Sequence, residues 1–360
     1  MKARIVIGSN YGDEGKGTVV ASYTKNSNNV LNVLTNGGAQ RGHSILTKDG
    51  NITSQHFGSG TYFGADNYYS RYFILNPMQF VKEYNLLFVK PKKIYTDWHC
   101  IWSTPYDMMA NLISEQQIGR NASCCMGIWN TIKRTRELGW LPFSRFVEYT
   151  KETPREAIHH LDCIKKYYEK NLVIPDEWKT IWNGGNIVFH FIEDCKFMAE
   201  HTETITSFDG FNYDEVIFEN GQGLLLCDTG KDTYDTTPSN TGISYALEIL
   251  KNLKADEVTA HYVTRPYLTR HGDGEMEHQT TMHTISASMN DDRTNKYNEF
   301  QGEFRYGLLD VNSLKERILK DSGSVNFDVE LTHCDEMDRV SEFRNVFGDT
   351  KINTYDSPFV

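Results

Sequence analysis

The sequence lacks the features of a membrane or secreted protein. No apolar run among its 360 residues is long enough to span a bilayer, and no apolar leader follows Met1. Its seven cysteines are an odd number without C-x-x-C pairs, which argues against both a disulfide framework and a zinc site. We therefore expect a cytoplasmic protein with free thiols, the adjacent Cys124 and Cys125 included, and no contact with membranes.

An excess of basic charge is also missing. The formal net charge is −11 at pH 7, which argues against a general affinity for nucleic acid, so any phosphate must be bound locally. The chain has no internal repeat, low-complexity tract or linker rich in Pro or Ser. Residues 1–360 are therefore expected to form a single large domain with a sizeable core.

Short apolar runs that stop at glycine-rich or polar loops recur along the chain. These runs are residues 4–7, 30–34, 216–218, 258–263 and 325–331. Each is typical of a strand, and residues 155–170 have a helical pattern. Strands that alternate with helices predict an α/β fold with a central, mostly parallel β-sheet flanked by helices. Ligands of such sheets bind beyond the carboxyl ends of the strands, where these loops lie.

The first of these loops reads Gly12-Asp13-Glu14-Gly15-Lys16-Gly17. It is not a Walker A motif, because Asn10 stands where that motif has its first glycine and Gly17 stands where it has Ser or Thr. Exposed backbone N–H groups, a helix N-terminus and the Lys16 ammonium group still favour polyphosphate binding. Two carboxylates beside a phosphate are costly unless they hold Mg²⁺ or transfer protons. The loop therefore predicts a phosphate and Mg²⁺ site rather than a simple connecting turn.

This loop, together with a later Gly-Gly-x-x-x-Gly-His loop, resembles the adenylosuccinate synthetases. Further segments that match the family follow in order along nearly the whole chain. The matching segments after the first loop are residues 37–44, 218–223, 237–241, 264–270, 307–310 and 331–335. An ordered set of this kind is more specific than any one loop, and it implies an adenylosuccinate-synthetase-like fold related to the P-loop NTPases.

The resemblance implies a ligase with three small-molecule substrates: a nucleoside triphosphate, a purine nucleoside monophosphate and L-aspartate. The γ-phosphate is transferred to the purine 6-oxygen, and the amino group of aspartate then displaces it. Asp13 would be the general base at N1 and a Mg²⁺ ligand, His43 the general acid, Gln222 the contact to the base edge, and the Gly42 carbonyl a second metal ligand. These roles are chemically consistent, because an amide oxygen is a poor nucleophile until N1 is deprotonated and the developing charge needs a cation and a donor.

The resemblance also implies the remaining contacts. Residues expected at the donor nucleotide are Gly12, Glu14, Gly15, Lys16, Gly17, Thr18, Thr332, Asp335 and Pro358. Residues expected at the acceptor nucleotide are Asn10, Asp13, Gln40, Arg41, Ser123, Gln222 and Thr237. Gly302 and Arg305 are expected to bind L-aspartate, Arg305 by clamping a carboxylate. The family also implies a homodimer, in which Arg134 or Arg136 of a neighbouring subunit reaches the acceptor phosphate.

The chain departs from the common family pattern in four places. Tyr11 and Ala21 replace a tryptophan and an aspartate, as in shortened archaeal and phage relatives. Glu303 stands where the family has an arginine that reaches the ribose of the acceptor. Residues 123–127 read Ser-Cys-Cys-Met-Gly instead of Thr-Thr-Gly-Arg-Gly, and His333 replaces the lysine that lies over guanine in the Thr-Lys-x-Asp motif.

Together these departures favour the phage branch of the family, which acts on guanylate, usually dGMP, with ATP or dATP as donor. Its product is a 2-aminoadenylosuccinate on the way to 2-aminoadenine DNA, and the protein would then work in the cytoplasm of a host. The alternative is a conventional adenylosuccinate synthetase that uses IMP and GTP, as the retained Asp13 and Asp335 allow. A third hypothesis is a non-catalytic nucleotide-binding regulator that has kept the fold and lost turnover.

Overall fold

The computed structural model describes residues 1–47, 50–119, 123–227, 236–286 and 302–356. Within them the strands are β1 (Lys2–Gly8), β2 (Val30–Leu34), β3 (His43–Thr47), β4 (Gly50–Ser54), β5 (Asp66–Tyr69), β6 (Ile94–Asp97), β7 (Glu203–Ile205), β8 (Glu215–Gly223), β9 (Glu257–Thr264), β10 (Leu268–Arg270), β11 (Gln279–Thr280), β12 (Arg305–Gly307), β13 (Phe327–Leu331) and β14 (Ile352–Thr354).

The helices of the same residues follow the same chain order. They are α1 (Lys16–Lys25), α2 (Pro77–Leu86), α3 (Pro105–Ile118), α4 (Ile128–Leu138), α5 (Phe143–Glu152), α6 (Pro154–Asn171), α7 (Asp176–Trp182), α8 (Gly185–Glu200), α9 (Ser244–Leu250), α10 (Met282–Ile285), α11 (Val311–Ser322) and α12 (Val340–Phe347). Across the described ranges, no helix is both long and apolar enough to cross a membrane.

Among the described strands, nine form one sheet in the order β14-β13-β9-β1-β8-β2-β5-β6-β7, and all its neighbours run parallel. The predicted α/β fold with a central parallel sheet is confirmed. β1 lies between β9 and β8. Its side chains are buried on both faces, since Ile5 and Ile7 belong to one hydrophobic cluster and Val6 to another. Burial on both faces explains why the strands appear as continuous apolar runs in the sequence.

A layer of helices between residues 105 and 200 covers the β5–β6 side of the sheet. Its core is a separate aromatic cluster that includes Trp102, Phe146 and Phe191.

Helix α3 shows how the local sequence determines where a helix begins and ends. Thr104 accepts a hydrogen bond from the Asp107 N–H group and donates its own to the Asp107 carboxylate, Pro105 occupies the first turn, and Gly119 ends the helix at φ 63°. This capping box and glycine stop fix both ends of the helix.

The described strands outside the main sheet form two smaller sheets. β3 and β4 form an antiparallel hairpin, and β12 pairs antiparallel with both β10 and β11. β1, β2 and β8 are adjacent and parallel, so the loops that follow them leave the same edge of the sheet. This edge carries the candidate site.

Candidate active site

The glycine-rich loop leaves β1 and leads into α1. Gly12, Asp13 and Gly15 all have left-handed backbone conformations, with φ of 96°, 61° and 92°. Glycine adopts such angles freely, whereas a non-glycine residue such as Asp13 adopts them at a cost that the surrounding contacts must offset. A Cβ atom at Gly15 would lie 3.2 Å from the Thr332 Cγ2 atom, so the loop also packs closely against the end of β13.

Glu14 holds this loop together from within. One carboxylate oxygen accepts hydrogen bonds of 2.9 Å from the N–H groups of Asn10 and Gly12, and the other lies 3.0 Å from the Lys16 ammonium nitrogen. Glu14 and Lys16 are both buried. The Glu14 carboxylate therefore organises the loop that was predicted to bind the donor phosphates, while Gly17 and Thr18 lie in the first turn of α1.

Asp13 is fixed through its backbone and faces cationic groups. The Arg265 Nε atom donates a 2.8 Å hydrogen bond to its carbonyl oxygen, and a His271 ring nitrogen lies 3.8 Å from its carboxylate. Burial raises the pKa of the Asp13 carboxyl above its usual range, while His271, Arg265 and Lys16 oppose that rise. A raised proton affinity suits a carboxylate that must accept a proton from a purine ring nitrogen.

His43 begins β3 and is buried against a carboxylate. Its Nδ1 atom is hydrogen-bonded to Glu219, and the Arg41 guanidinium lies 3.1 Å from the same carboxylate oxygen. Burial and the Arg41 charge lower the pKa of His43 to about 4. Burial alone would raise the pKa of Glu219, but Arg41, His43 and Ser59 lower it to about 2. At neutral pH the pair is therefore a neutral imidazole on an ionised carboxylate.

Close glycine contacts bring the three predicted catalytic loops together. A Cβ atom at Gly17 would lie 2.8 Å from the Ser44 carbonyl oxygen and 3.4 Å from the His43 Cβ atom. One at Gly12 would lie 3.8 Å from the Gln222 Cα atom. The loop that carries Asp13 thus contacts both the loop that carries His43 and the segment that carries Gln222.

Buried polar groups without partners mark the expected acceptor pocket. Both amide atoms of Gln40 and the Gln222 carbonyl oxygen have no hydrogen-bond partner among the described residues. Both side chains approach Gly37, where an added Cβ would lie 3.2 Å from Gln40 Nε2 and 3.3 Å from Gln222 Oε1. Buried polar groups are normally paired, so these amides are suited to the polar edge of a ligand.

Other predicted acceptor contacts are engaged by the protein itself. The Asn10 side chain accepts a 2.7 Å hydrogen bond from Arg317 and donates one of 3.0 Å to Thr264. Thr237 lies beside this pocket, because its backbone carbonyl accepts from Ser239, whose hydroxyl accepts from Asn36. The Ser123 hydroxyl is bonded to Glu115. A carboxylate therefore stands at the position where a phosphate contact was predicted.

The structure corrects one prediction at this loop. Arg134 is buried in its own chain, where its guanidinium lies 2.7 Å from the Asp107 carboxylate and donates a 2.9 Å hydrogen bond to the Trp102 carbonyl oxygen. A guanidinium held in this way cannot reach into a neighbouring subunit. Arg136 is exposed and is the remaining candidate for the acceptor phosphate.

The predicted donor-base and aspartate residues lie at the far side of the glycine-rich loop. Thr332 donates a 2.6 Å hydrogen bond to the Glu14 carbonyl oxygen, and Asp335 is exposed just beyond it. Arg305 donates to the carbonyl oxygens of Gly272 and Gly274, at 2.6 and 2.9 Å, and thereby holds the loop that follows His271. Gly302 precedes β12 with φ 71°. Pro358 lies outside the described residues.

Sequence reasoning did not assign roles to several residues of this site. Glu219, Arg265 and His271 all contact a predicted catalytic residue. Glu219 offered one signal, because it is a charged residue directly after the apolar run 216–218 and lies within the matched segment 218–223. Arg265 lies within the matched segment 264–270, whereas His271 gave no signal, and both residues contact Asp13 only after β9 pairs with β1.

The parallel sheet and the glycine-rich loop at its carboxyl edge define a nucleotide-binding α/β protein. The model of the adenylosuccinate synthetase family matches residues 5–346. The chain therefore belongs to the adenylosuccinate synthetase family.

Individual relatives are distant. The adenylosuccinate synthetase of Finegoldia magna is 23% identical over 339 residues, which cover 89% of this chain and 76% of that protein. One from Clostridium botulinum is 25% identical over 297 residues, covering 76% of this chain and 65% of the relative. The matched region thus spans about two thirds to three quarters of the length of these relatives.

Two solved structures share the fold, each with a TM-score of 0.65. The fully ligated adenylosuccinate synthetase of Plasmodium falciparum is 19% identical, with 94% of this chain and 78% of that chain covered. The succinoaminodeoxyadenylate synthetase of cyanophage S-2L, bound to dGMP and to dATP as an energy donor, is 11% identical, with 99% and 93% covered. At these identities the likeness shows the fold alone.

Proposed function

We propose that the protein is a ligase that joins L-aspartate to C6 of a purine nucleotide through a 6-phosphoryl intermediate. The observation that carries this proposal is the convergence of Asp13, His43 and Gln222 at one edge of the sheet, within a chain of this family. The deprotonated carboxylate of Asp13 takes the N1 proton, and the 6-oxygen then attacks the γ-phosphorus while the bond to the nucleoside diphosphate breaks. The amino group of aspartate next attacks C6, and phosphate leaves with the 6-oxygen.

The residues of the site fit Mg²⁺ as the metal of this reaction. The Asp13 carboxylate and the Gly42 carbonyl are oxygen donors, the ligands that Mg²⁺ prefers. A Cβ atom added at Gly42 would meet nothing within 4 Å, so there is open space on that side of the residue. When bound, the ion would neutralise charge on the transferred phosphoryl group. His43 would face the same oxygens through Nε2 and would donate to them as an imidazolium, a form that the negative charge of the phosphates favours, and Lys16 would face the phosphates of the donor.

For the acceptor and donor we propose dGMP with ATP or dATP. Glu303 is exposed at the loop expected to approach the acceptor ribose, and an anion there offers no hydrogen-bond donor to a 2′-hydroxyl. His333, in place of the lysine that would lie over guanine, weakens the case for GTP. The cyanophage enzyme supports this choice, because 93% of its chain is covered in the comparison and because dGMP and dATP are bound to it.

The alternative is IMP as acceptor with GTP as donor. Asp13 and Asp335 are retained, and the curated relatives reported above carry the name of the conventional enzyme. The proposed homodimer, with Arg136 at the partner's acceptor phosphate, is common to both alternatives and can be tested by sedimentation and by an Arg136→Gln variant.

The two alternatives differ in a direct assay. Phosphate release would be measured with dGMP plus ATP and with IMP plus GTP, each with and without L-aspartate. We expect aspartate-dependent release with the first pair. Activity only with the second pair would refute the proposed acceptor, and no aspartate-dependent release with either pair would refute the ligase. An Asp13→Ala variant that keeps the protein's biological effect would instead favour a regulator.

A further inference from the structure

Glu219 has no exposed surface and lies directly behind His43. Besides the His43 Nδ1 contact, its carboxylate accepts hydrogen bonds of 2.7 Å from the Ser59 hydroxyl and 2.9 Å from the Ser59 N–H group. The Arg41 guanidinium completes the set at 3.1 Å. A buried carboxylate with this many donors is held in one orientation.

This contact decides which ring nitrogen of His43 is available to a substrate. An ionised carboxylate oxygen accepts hydrogen bonds, so the Nδ1 atom that faces it must carry the proton. Nε2 is then the nitrogen that faces the reacting groups, and it donates to them only when the ring carries a proton on both nitrogens. The carboxylate also fixes the ring plane, since rotation of the imidazole would break the contact with Glu219.

Arg41 contacts the same carboxylate oxygen as His43, and its guanidinium nitrogen also lies 3.0 Å from the His43 Nδ1 atom. Its side chain is buried, and its aliphatic part packs against the end of β8, where a Cβ atom at Gly221 would lie 3.2 Å from Arg41 Cγ. A buried carboxylate without a counter-charge would be costly. The Arg41 charge therefore keeps Glu219 suitable as a permanent acceptor for His43.

We propose that Glu219 and Arg41 are positioning residues for His43, such that the carboxylate fixes the tautomer and plane of the imidazole and the guanidinium fixes the carboxylate. This inference rests on the proposed function only in assigning His43 to the phosphoryl-transfer step. Glu219 does not need to touch a substrate, so its effect should appear in turnover and not in substrate binding.

The chain contains a matched control for this arrangement. On the same sheet, His261 Nδ1 lies 2.8 Å from Glu330, and both side chains are fully buried. Tyr23, Asn353 and Tyr355 also donate to the Glu330 carboxylate, at 2.8, 2.9 and 2.8 Å. This second pair has the same chemistry as the first but contacts none of the predicted catalytic residues, so a comparison of the two separates positioning from packing.

The kinetic test compares Glu219→Gln with Glu330→Gln. We expect Glu219→Gln to lower kcat on the order of 10²-fold with little change in the KM of any substrate. Glu330→Gln should lower stability and leave kcat nearly unchanged. In a His43→Ala background, Glu219→Gln should cost little more, because the two residues act as a unit. An unchanged kcat in Glu219→Gln, or losses that simply add in the double variant, would overturn the proposal.

A spectroscopic test separates this inference from the proposed function. Protein carrying ¹⁵N-labelled histidine should show a downfield Nδ1-bound proton that is assigned to His43 by its loss in His43→Ala. The signal should disappear in Glu219→Gln and persist in Glu330→Gln. Its absence from the unaltered protein would overturn the inference, whereas its presence in a protein without ligase activity would refute only the proposed reaction. If Glu219→Gln does not fold, Ser59→Ala removes one donor to Glu219 and should shift the same signal; an unshifted signal would count against the proposal.

Discussion

The Arg265 Nε atom donates a 2.8 Å hydrogen bond to the backbone carbonyl oxygen of Asp13. Arg265 follows the last residue of β9, which pairs along its length with β1. The sheet itself therefore places a rigid donor beside a residue with φ 61°. This bond offsets part of the cost of the left-handed backbone and holds the Asp13 carboxylate over the edge of the sheet.

Replacement of that carboxylate should abolish turnover without loss of binding. We expect Asp13→Asn to reduce aspartate-dependent phosphate release on the order of 10³-fold, because an amide cannot accept the N1 proton. Calorimetry should show that the variant still binds nucleotide. The exposed Asp209 provides the control, and an Asp209→Asn variant should keep full activity. Retained turnover in Asp13→Asn would exclude Asp13 as the base.

Glu303 should control the choice between ribose and deoxyribose. In Glu303→Arg, the new guanidinium can donate to a 2′-hydroxyl, and we expect kcat/KM for GMP relative to dGMP to rise roughly tenfold. Glu303→Gln removes the charge without the long cationic donor, so it should shift the ratio less. The ratio is measured with both acceptors in one competition assay. An identical ratio in all three proteins would show that the sugar is selected elsewhere.

His333 should influence the choice of donor nucleotide. A lysine at this position would place an ammonium group over the guanine ring, a contact worth about 1 kcal/mol or roughly fivefold in relative efficiency. His333→Lys is therefore expected to raise kcat/KM for GTP relative to ATP, while His333→Gln, which adds no charge, is not. If the lysine variant discriminates like the unaltered protein, His333 does not contact the donor base.

The buried His56 should make stability depend on pH below neutrality. Burial, with a smaller contribution from Arg41, lowers the pKa of His56 to about 3, while its ring is bonded at 2.9 Å to both Tyr69 and the Asn76 N–H group. Because the unfolded chain takes up the proton near pH 6.5, this contribution to stability is complete above that pH. It is lost as pH falls toward 3, by up to about 1.4 kcal/mol per pH unit.

Urea unfolding at pH 7 and pH 5 measures this dependence. The free energy of unfolding should fall between the two pH values in the unaltered protein, and it should fall less in His56→Gln. Carboxylates also titrate in this range, so the difference between the two proteins is the quantity of interest. The same pH dependence in both proteins would contradict the prediction.

The strands of the central sheet were largely predictable because both of their faces are buried. Residues 30–34 were predicted as a strand and coincide with β2, and residues 155–170 lie within α6. The predicted strand 325–331 begins two residues late, at Phe327, since Val325 instead donates its N–H group to the Ser322 carbonyl at the end of α11. Hydrophobic periodicity indicates where a strand or helix lies even when its partners in the fold are unknown.

The site was less predictable because its contacts join distant segments. Motif resemblance named Asp13, His43 and Gln222, and the structure places their loops together. The pairing of Arg41 with Glu219 joins residues 178 positions apart in the chain, and no local pattern indicates it. The role predicted for Arg134 at a neighbouring subunit was wrong for the same reason. Its buried partner Asp107 cannot be recognised from charge and spacing alone.

The position of β1 also has a consequence for biosynthesis. β1 lies in the middle of the sheet, but its neighbours β8 and β9 are synthesised more than 200 residues later. The apolar strand β1 therefore has neither of its partner strands available through most of translation. Contacts at such sequence separation slow folding and expose the chain to aggregation. We therefore expect the nascent chain to depend on chaperones until β9 is complete.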